Sequence, residues 1–284
     1  MVTAHKLFWV VTACCVCLFS QASCARAAEA ATNNGASSPS ASAAAVLPAF
    51  VDLRPQLDRW GLAPRSQGKR GTCSVFAVTG ALEYAAARQK QPVQRFSPEF
   101  LNWAANQAVG QAKDGGFFSD LCRGFATYGV CSDTTMPYQK SFDATLKPGL
   151  QALAEAKAQL KLGVRAHWIK EWDIKTGLTD AQLVEIRRTL SQGWPVCAGM
   201  RWPKQPQWSS NILQMCSPPD VFDGHSVLLV GYRDDTDQPG GGILIFRDSG
   251  SGGRDASLSY LYASSYINDA LWLAAAQQGP DAKE

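Results

Sequence analysis

Ser-Gln-Gly-Lys-Arg-Gly-Thr-Cys-Ser-Val-Phe-Ala, residues Ser66–Ala77, is the stretch around which this chain of 284 residues is organised. Its two glycines indicate a loop and the residues that follow indicate a helix, so that Cys73 lies in the first helical turn. The positive end of the helix dipole lowers the pKa of a thiol placed there and favours the nucleophilic thiolate. Gln67 can fold back over the loop and offer its side-chain NH2, beside the backbone N–H of Cys73, to a developing oxyanion.

The composition is that of an ordinary globular protein, with 46% hydrophobic and 18% charged residues. This is ample for a buried core. A net charge of +3 is too small to favour nucleic acid or an acidic substrate as the partner.

The N-terminus has the layout of a secretory signal. Lys6 precedes an apolar run over residues 7–19, and Ala25-Arg26-Ala27 provides an A-x-A cleavage site. We expect a signal peptide over residues 1–27 and a secreted or periplasmic protein. Lipid attachment at Cys24 is one alternative. An uncleaved anchor is another, although the run is shorter than the ~20 apolar residues that span a bilayer.

Residues 28–46 are rich in alanine and serine and predict a flexible linker. The linker is too short to fold as an inhibitory pro-domain, so we expect the activity to be controlled in another way. The folded domain is expected over residues 47–284.

Removal of the signal leaves an odd number of cysteines, which points to one free thiol in an exported protein. The remaining cysteines are Cys73, Cys122, Cys131, Cys197 and Cys216. If Cys73 is the free thiol, the simplest pairing joins Cys122 to Cys131 and Cys197 to Cys216. Alternatively, some of them are small buried hydrophobic residues.

Helix signals come first in the chain and strong strand signals come later, which predicts an α+β protein. Helices are predicted over Thr72–Arg88, after a Ser97 cap, over Ser119–Tyr128, over Leu150–Leu162, and from a capping box at Thr179 to Gln192. Strands Ser226–Tyr232 and Ile243–Arg247 are rich in β-branched residues and leucine, and turn residues join them as a hairpin.

A thiolate that attacks an amide needs a proton donor for the leaving nitrogen, and near neutral pH that donor is imidazole. Two histidines lie beyond the signal. His167, within a predicted strand, is more simply a packed or surface residue. His225 opens the strand Asp-Gly-His-Ser-Val-Leu-Leu-Val-Gly-Tyr and follows Cys73 by 152 residues.

The order of these motifs resembles that of the papain-like cysteine peptidases. The matching segments are Gln67-Gly68 with Cys73 six residues after the glutamine, Gly115-Gly116 before a helix, Pro137-Tyr138, the strand of His225, and Asp248-Ser249 on the next strand. Together they cover roughly residues 50–273.

The resemblance implies a two-lobed fold, with a helical left lobe at about residues 47–147 and an antiparallel, barrel-like sheet lobe at about 148–275. It implies that Cys73 is the nucleophile, His225 the general acid and base, Asp248 the residue that orients His225, and Gln67 part of the oxyanion hole. Gly115, Gly116 and Gly224 are expected to bind the substrate, a peptide or protein. The resemblance implies no metal or organic cofactor, and we expect a monomer.

Four positions depart from the family pattern. Asp248 replaces the usual asparagine, Gly250 and Ser74 replace tryptophans, and Arg70 stands where many members have a cysteine. The indole that ordinarily shields the orienting hydrogen bond from water is therefore missing at residue 250. A long loop containing Trp202 and Trp208 is predicted either to edge the cleft or to pack on itself.

The sequence leaves three functional hypotheses. The first is an exported cysteine peptidase that works through an acyl-enzyme thioester. The second is a catalytically weak or inactive papain-like module that binds peptides. The third is a cell-wall peptide amidase, which ranks last because such domains place the histidine closer to the cysteine.

Overall fold

The computed structural model describes residues 46–89, 93–250 and 252–275. The predicted signal, the alternative lipid site at Cys24 and all of the predicted linker except Val46 lie outside these ranges. Among the described residues, no helix has the length and apolar character needed to cross a bilayer.

The first half of the described chain is mainly helical. Its helices are α1 (Arg54–Arg59), α2 (Cys73–Arg88), α3 (Pro98–Val109) and α4 (Phe118–Tyr128). The predicted start of α3 is confirmed, since the Ser97 hydroxyl accepts a hydrogen bond from the Phe100 N–H at 2.9 Å and proline occupies the first turn. Thr72 is the N-cap residue of α2, as the sequence predicts to within one residue.

Three more helices lie among the strands of the second half: α5 (Leu150–Gln159), α6 (Asp180–Ser191) and α7 (Tyr260–Tyr266). The predicted capping box is present, because Thr179 accepts from the Gln182 N–H and the Gln182 side chain accepts from the Thr179 N–H. Helix α5 is shorter than predicted and continues as a 3-10 turn over Leu160–Leu162. Its residue Ala156 packs in a cluster with Phe100, so α5 belongs with the helical layer.

The strands form one sheet. They are β1 (Phe50–Asp52), β2 (Val164–Lys170), β3 (Val196–Pro203), β4 (Trp208–Ser209), β5 (Ile212–Leu213), β6 (Val221–Asp234), β7 (Gly242–Asp248), β8 (Arg254–Ser259) and β9 (Ile267–Ala275). Their order is β2-β9-β3-β6-β7-β8-β5-β4, and β1 pairs with β6. Every pairing is antiparallel except that of β5 with β8. The predicted hairpin is the β6–β7 pair.

Helix α2 lies against the face of this sheet and is buried along most of its length. Val75 and Val78 are fully buried, and a Cβ added at Gly80 would lie 3.1 Å from the Leu228 side chain on β6. The small residue therefore lets the helix approach the strand closely. Because the helix axis is fixed in this way, its first residue, Cys73, is held beside the sheet.

The helical first half and the sheet-rich second half confirm the predicted α+β class with two lobes. The lobes are joined by the packing of α2 on β3, β6 and β9 and by the pairing of β1 with β6.

The predicted disulfides are wrong, because all five described cysteines are free thiols. Cys131 is buried in the small cluster around Phe100, whereas Cys122 packs against the main core. Cys197 is fully buried on β3 and donates to the Ala77 carbonyl at 3.4 Å, and Cys216 is half-buried beyond β5. Burial raises the pKa values of the Cys122 and Cys131 thiols to about 12. The alternative, buried small hydrophobic cysteines, describes Cys131 and Cys197.

Candidate active site

Cys73 is the first residue of α2, and its half-buried thiol faces the sheet at 3.9 Å from the Gly224 carbonyl. Burial opposes the thiolate. The hydrogen bond and positive charge of His225 outweigh this effect, so the pKa of Cys73 lies below its ordinary value. The backbone N–H groups of Ser74 and Ser226 act in the same direction. The site therefore favours a thiolate, as the position at a helix N-terminus predicts.

His225 lies on β6, in register with Met200 of β3. Its Nε2 lies 2.9 Å from the Asp248 Oδ1, which leaves Nδ1 for the hydrogen bond with Cys73. Burial disfavours the imidazolium, but the hydrogen bonds and charges of Asp248 and Cys73 raise the pKa of His225 to about 9. The imidazole ring thus stands between a sulfur and a carboxylate and is protonated near neutral pH.

Asp248 ends β7 and its side chain is only 3% exposed. Besides His225, its Oδ1 accepts the Gly250 N–H at 2.8 Å. Burial acts to raise the pKa of Asp248, but the hydrogen bond and charge of His225 hold it below the usual value. Because two N–H groups converge on one carboxylate oxygen, the carboxylate has a fixed orientation.

Both the oxygen and the nitrogen of the Gln67 side-chain amide are hydrogen-bonded. Its Oε1 accepts from the Ser249 hydroxyl at 2.7 Å, and its Nε2 donates to the Arg70 carbonyl at 2.8 Å. Its backbone N–H donates to the Ser249 carbonyl, so the loop before α2 is joined to the residue after Asp248. Gln67 borders a separate recess with Lys69 and does not line the cavity that contains Cys73.

The cavity beside Cys73 and His225 has a volume of about 220 Å³. All three glycines predicted to bind the substrate line it: Gly115, Gly116 and Gly224. Gly115 has φ +68°, and a Cβ there would lie 2.4 Å from the Gly71 carbonyl oxygen. Only glycine fits this close crossing of two loops. At Ser74, where a tryptophan is usual, the hydroxyl accepts the Gly116 N–H at 3.3 Å.

Arg70 joins the same two loops by charge. Its guanidinium, only 4% exposed, pairs with Asp114 at 2.7 Å and with Glu99 at 3.2 Å, and lies 4.6 Å from the centre of the Tyr138 ring. Burial opposes the charge, but the hydrogen bonds to both carboxylates raise the pKa of Arg70. An ionic connection thus stands at the position where the family often has a cysteine. Its partners lie 29 and 44 residues away along the chain, so no local sequence pattern indicates them.

Trp202 is the second residue that the sequence analysis did not place in the site. It lies near the end of strand β3, not in a loop, and its indole is 4.3 Å from the His225 ring, centroid to centroid. The indole is 9% exposed. His167, the histidine that was set aside, stacks on Trp272 at the same centroid distance, on the β2–β9 pair.

Comparisons with known proteins were consistent with this geometry. Residues 47–249 match the family model described as papain family cysteine protease. A comparison with functionally curated sequences found no significant match.

Several solved structures share the fold. Xylellain, a cysteine protease from Xylella fastidiosa, has a TM-score of 0.65 and 22% identity over 85% of this chain and 91% of its own. Digestive procathepsin L 3 of the Tenebrio molitor larval midgut has a TM-score of 0.56 and 21% identity over 84% and 73%, respectively. The proform of the ragweed pollen allergen Amb a 11, a cysteine protease, has a TM-score of 0.54 and 19% identity over 83% and 67%.

At these identities the solved structures are alike in fold, whereas the sequence model covers well over half of this chain. The predicted resemblance is therefore confirmed, with low identities that fit a divergent member. This chain belongs to the papain family of cysteine proteases.

Proposed function

We propose that this protein is an exported peptidase that hydrolyses peptide bonds with Cys73 as the nucleophile. One observation carries the proposal. The His225 imidazole is hydrogen-bonded to the Asp248 carboxylate on one side and to the Cys73 thiol on the other, beside an open cavity. This arrangement supplies a nucleophile, a general acid and base, and a group that orients the base.

In the acylation step, the Cys73 thiolate attacks the carbonyl carbon of the scissile bond and the carbonyl oxygen becomes an oxyanion. The Cys73 backbone N–H stabilises this charge, and the Gln67 amide, which borders a separate recess, holds the loop before α2. The imidazolium of His225 gives its Nδ1 proton to the leaving nitrogen as the C–N bond breaks. A thioester between Cys73 and the acyl part of the substrate remains, and the amine product departs.

In the deacylation step, neutral His225 takes a proton from a water molecule, which attacks the thioester carbon. The C–S bond breaks, the acid product leaves, and the thiolate–imidazolium pair is restored. Asp248 stays ionised throughout and holds the ring so that Nδ1 faces the sulfur. Gly115 and Gly116 offer backbone to an extended peptide, as expected for glycines at a close approach.

Iodoacetamide labelling near pH 6, mapped by mass spectrometry, tests the thiolate. Cys73 is expected to react first, because burial raises the pKa values of Cys122, Cys131 and Cys216, which serve as internal controls. Equal labelling of all four cysteines would contradict the thiolate.

Cleavage is tested with a peptide library and the variant Cys73→Ser. We expect the unaltered protein to cleave peptides. The variant is expected to lose activity by about 10³-fold or more, because a serine hydroxyl at this site is not ionised as the Cys73 thiol is and is a weaker nucleophile. If the unaltered protein cleaves no peptide in the library, the inactive peptide-binding module replaces the peptidase. Release of peptides from purified peptidoglycan, without cleavage of linear peptides, would favour the amidase.

Export is supported by the sequence of residues 1–27. Expression of the full chain followed by N-terminal sequencing of the mature protein tests this part of the proposal. A start near Ala28 in the periplasm or medium is expected. A cytoplasmic product that retains residues 1–27 would contradict it.

A further inference from the structure

A cluster of side chains packs beside the His225 ring. We call this cluster, Trp202, Trp208 and Arg254, the aromatic cap. Trp202 lies against His225 with its ring plane tilted by 56°. Trp208 lies 6.2 Å from Trp202, and the Arg254 guanidinium lies 4.1 Å from the centre of the Trp208 ring.

Both ends of the aromatic cap are linked to strand β7 near the Asp248 carboxylate. Arg254 pairs in register with Asp248 across β7 and β8, and its charge helps to lower the pKa of Asp248. Phe246, two residues before Asp248, meets Trp202 edge to face at 6.2 Å between ring centroids. The hydrogen bond therefore lies inside a continuous set of contacts that begins at Phe246 and ends at Arg254.

The cap is built by strand pairing. The pairing of β3 with β6 shifts register between Met200 and Arg201, where Gly224, directly before His225, is the extra residue on β6. A bulge redirects the side chains of its own strand, which here include His225, while the register beyond the shift pairs Trp202 with Phe222. Trp208 is held by the pairing of β4 with β5, and β5 in turn pairs with β8, which contains Arg254.

Such packing has two physical effects on the imidazole ring. An indole face attracts a cation, which here is the imidazolium. An indole in contact with the ring also excludes water, and the attraction between the imidazolium and a carboxylate 2.9 Å away is stronger where the local dielectric constant is low. The 13% and 3% exposures of the His225 and Asp248 side chains agree with this exclusion.

We propose that Trp202 is a positioning residue that holds the His225 ring against Asp248 and excludes water from the hydrogen bond between them. The inference rests on the proposed function, because it assigns a task within that catalytic group. The indole comes from a strand that precedes the histidine, whereas residue 250, after the carboxylate, is glycine. Gly250 therefore does not leave the hydrogen bond unshielded.

The direction of the effect follows from the balance of forces on the ring. Burial disfavours the imidazolium, yet attraction by Asp248 and Cys73 outweighs burial. Water admitted next to the ring weakens both the effect of burial and the attraction by Asp248 and Cys73. The attraction, which is the larger of the two, is weakened more. Without the indole, the pKa of His225 is expected to fall toward its ordinary value and the pKa of Cys73 to rise.

The charged groups around the ring are Cys73 on α2, Asp248 on β7 and Arg254 on β8. Lys113, Asp114 and Asp269 line the same cavity. None of these residues is altered in the experiment, so a change in the pH profile reports on the indole.

The experiment measures the rate of Cys73 alkylation by iodoacetamide against pH, without substrate, in Trp202→Leu and Trp202→Phe. Trp272→Leu is the matched control, because Trp272 stacks at the same 4.3 Å on the non-catalytic His167. We expect alkylation of Trp202→Leu at pH 6 to be about tenfold slower than that of the unaltered protein, because a raised thiol pKa leaves a smaller fraction of thiolate at that pH. Trp202→Phe, which keeps a ring, is expected to lose about threefold or less.

The profile of Trp272→Leu is expected to be unchanged. If Trp202→Leu unfolds, Trp202→Met fills more of the site and replaces it. An unchanged profile in the Trp202 variants would overturn the inference, and so would an equal change in Trp272→Leu. If the unaltered protein has the low-pH thiolate but cleaves no peptide, the proposed function is wrong, and the alkylation profiles still decide the role of Trp202.

Discussion

The two walls of the cleft are built by different forces. The thiol wall comprises the loop at residues 66–72 and the start of α2. Its buried Arg70 pairs with Asp114 in the neighbouring loop and with Glu99 at the start of α3. The imidazole wall, which comprises β6, β7 and Trp202, is fixed by strand pairing and aromatic packing. The thiol wall depends on charge and the imidazole wall on regular structure.

The difference follows from how the main-chain polar groups of each wall are satisfied. Strand ladders satisfy the main-chain groups of β6 and β7 and fix the spacing between His225 and Asp248. A loop has no such ladder, so side chains must tie it to its surroundings. In the thiol wall these ties are the Gln67 amide, the Arg70 guanidinium and the Tyr138 hydroxyl. Single substitutions in the imidazole wall should therefore affect activity most, whereas those in the thiol wall should affect stability most.

The largest effect is expected in the imidazole wall, for Asp248→Ala. Loss of the carboxylate frees the His225 ring and lowers its pKa, so kcat/KM for a peptide should fall by about 10²–10⁴-fold, the usual contribution of a positioned acid or base. Asp248→Asn is the matched control. Its oxygen still accepts the His225 N–H, so a loss of about tenfold or less is expected. Equal losses in the two variants would show that the hydrogen bond does not orient the ring.

The next largest effect is expected in the thiol wall, for Arg70→Met. This change leaves two carboxylates without their cation, and breaking a buried ion pair by removing one partner costs about 3–5 kcal/mol in the free energy of unfolding. Urea denaturation measures it. Arg59→Met, at an exposed site, should change the free energy by less than about 0.5 kcal/mol.

A triple variant sharpens the result for Arg70. Adding Glu99→Gln and Asp114→Asn to Arg70→Met removes the uncompensated negative charge and is expected to recover part of the lost stability. No recovery would mean that packing of the guanidinium against Tyr138, and not its charge, holds the loop.

The pH dependence of activity compares the walls directly, because one titrating group lies in each. In the proposed mechanism, activity needs the thiolate–imidazolium pair. It should fall on the acid side as Cys73 gains a proton at a pKa below its ordinary value, and on the alkaline side as His225 loses its proton at a pKa of about 9. The rate of peptide cleavage between pH 4 and pH 10 measures both limbs. In Asp248→Ala the alkaline limb should move to lower pH; an unmoved limb would separate His225 from Asp248.

The smallest effect is expected for Tyr138→Phe. The Tyr138 hydroxyl donates to the Gln67 carbonyl at 3.0 Å and shares a 2.6 Å hydrogen bond with Thr72. Its loss should cost about 1 kcal/mol in the free energy of unfolding. A modest fall in kcat, with little change in KM, should accompany it as the loop loosens. Tyr128→Phe, at the far end of α4, is the control, and equal effects would argue against a role in the loop.

The order of motifs along the chain was sufficient to predict the family, the fold class and the start of α2. These features depend on local patterns, such as the loop and helix around Cys73 and the run of valines and leucines after His225. The spatial convergence of Cys73, His225 and Asp248 followed from the resemblance alone, since no local pattern joins residues so far apart.

The side-chain contacts within the two walls could not be predicted from local sequence patterns. Arg70 meets carboxylates from two other segments, and Trp202 reaches His225 only through the bulged register of β3 and β6. The disulfide prediction failed because an odd number of cysteines says nothing about their surroundings. Cys131 and Cys197 occupy apolar interior positions that suit a thiol as well as a cystine.

The distance along the chain between the two walls has a consequence for the cell that makes the protein. Chains are synthesised from the N-terminus, so Cys73 leaves the ribosome long before Asp248. Strand β1 likewise has no partner until β6 has been synthesised, because Phe50 pairs with Arg233. A nascent or truncated polypeptide that ends before β6 therefore has a sulfur without its base, and hydrolytic capability is expected to arise only after the segment with Asp248 has been synthesised.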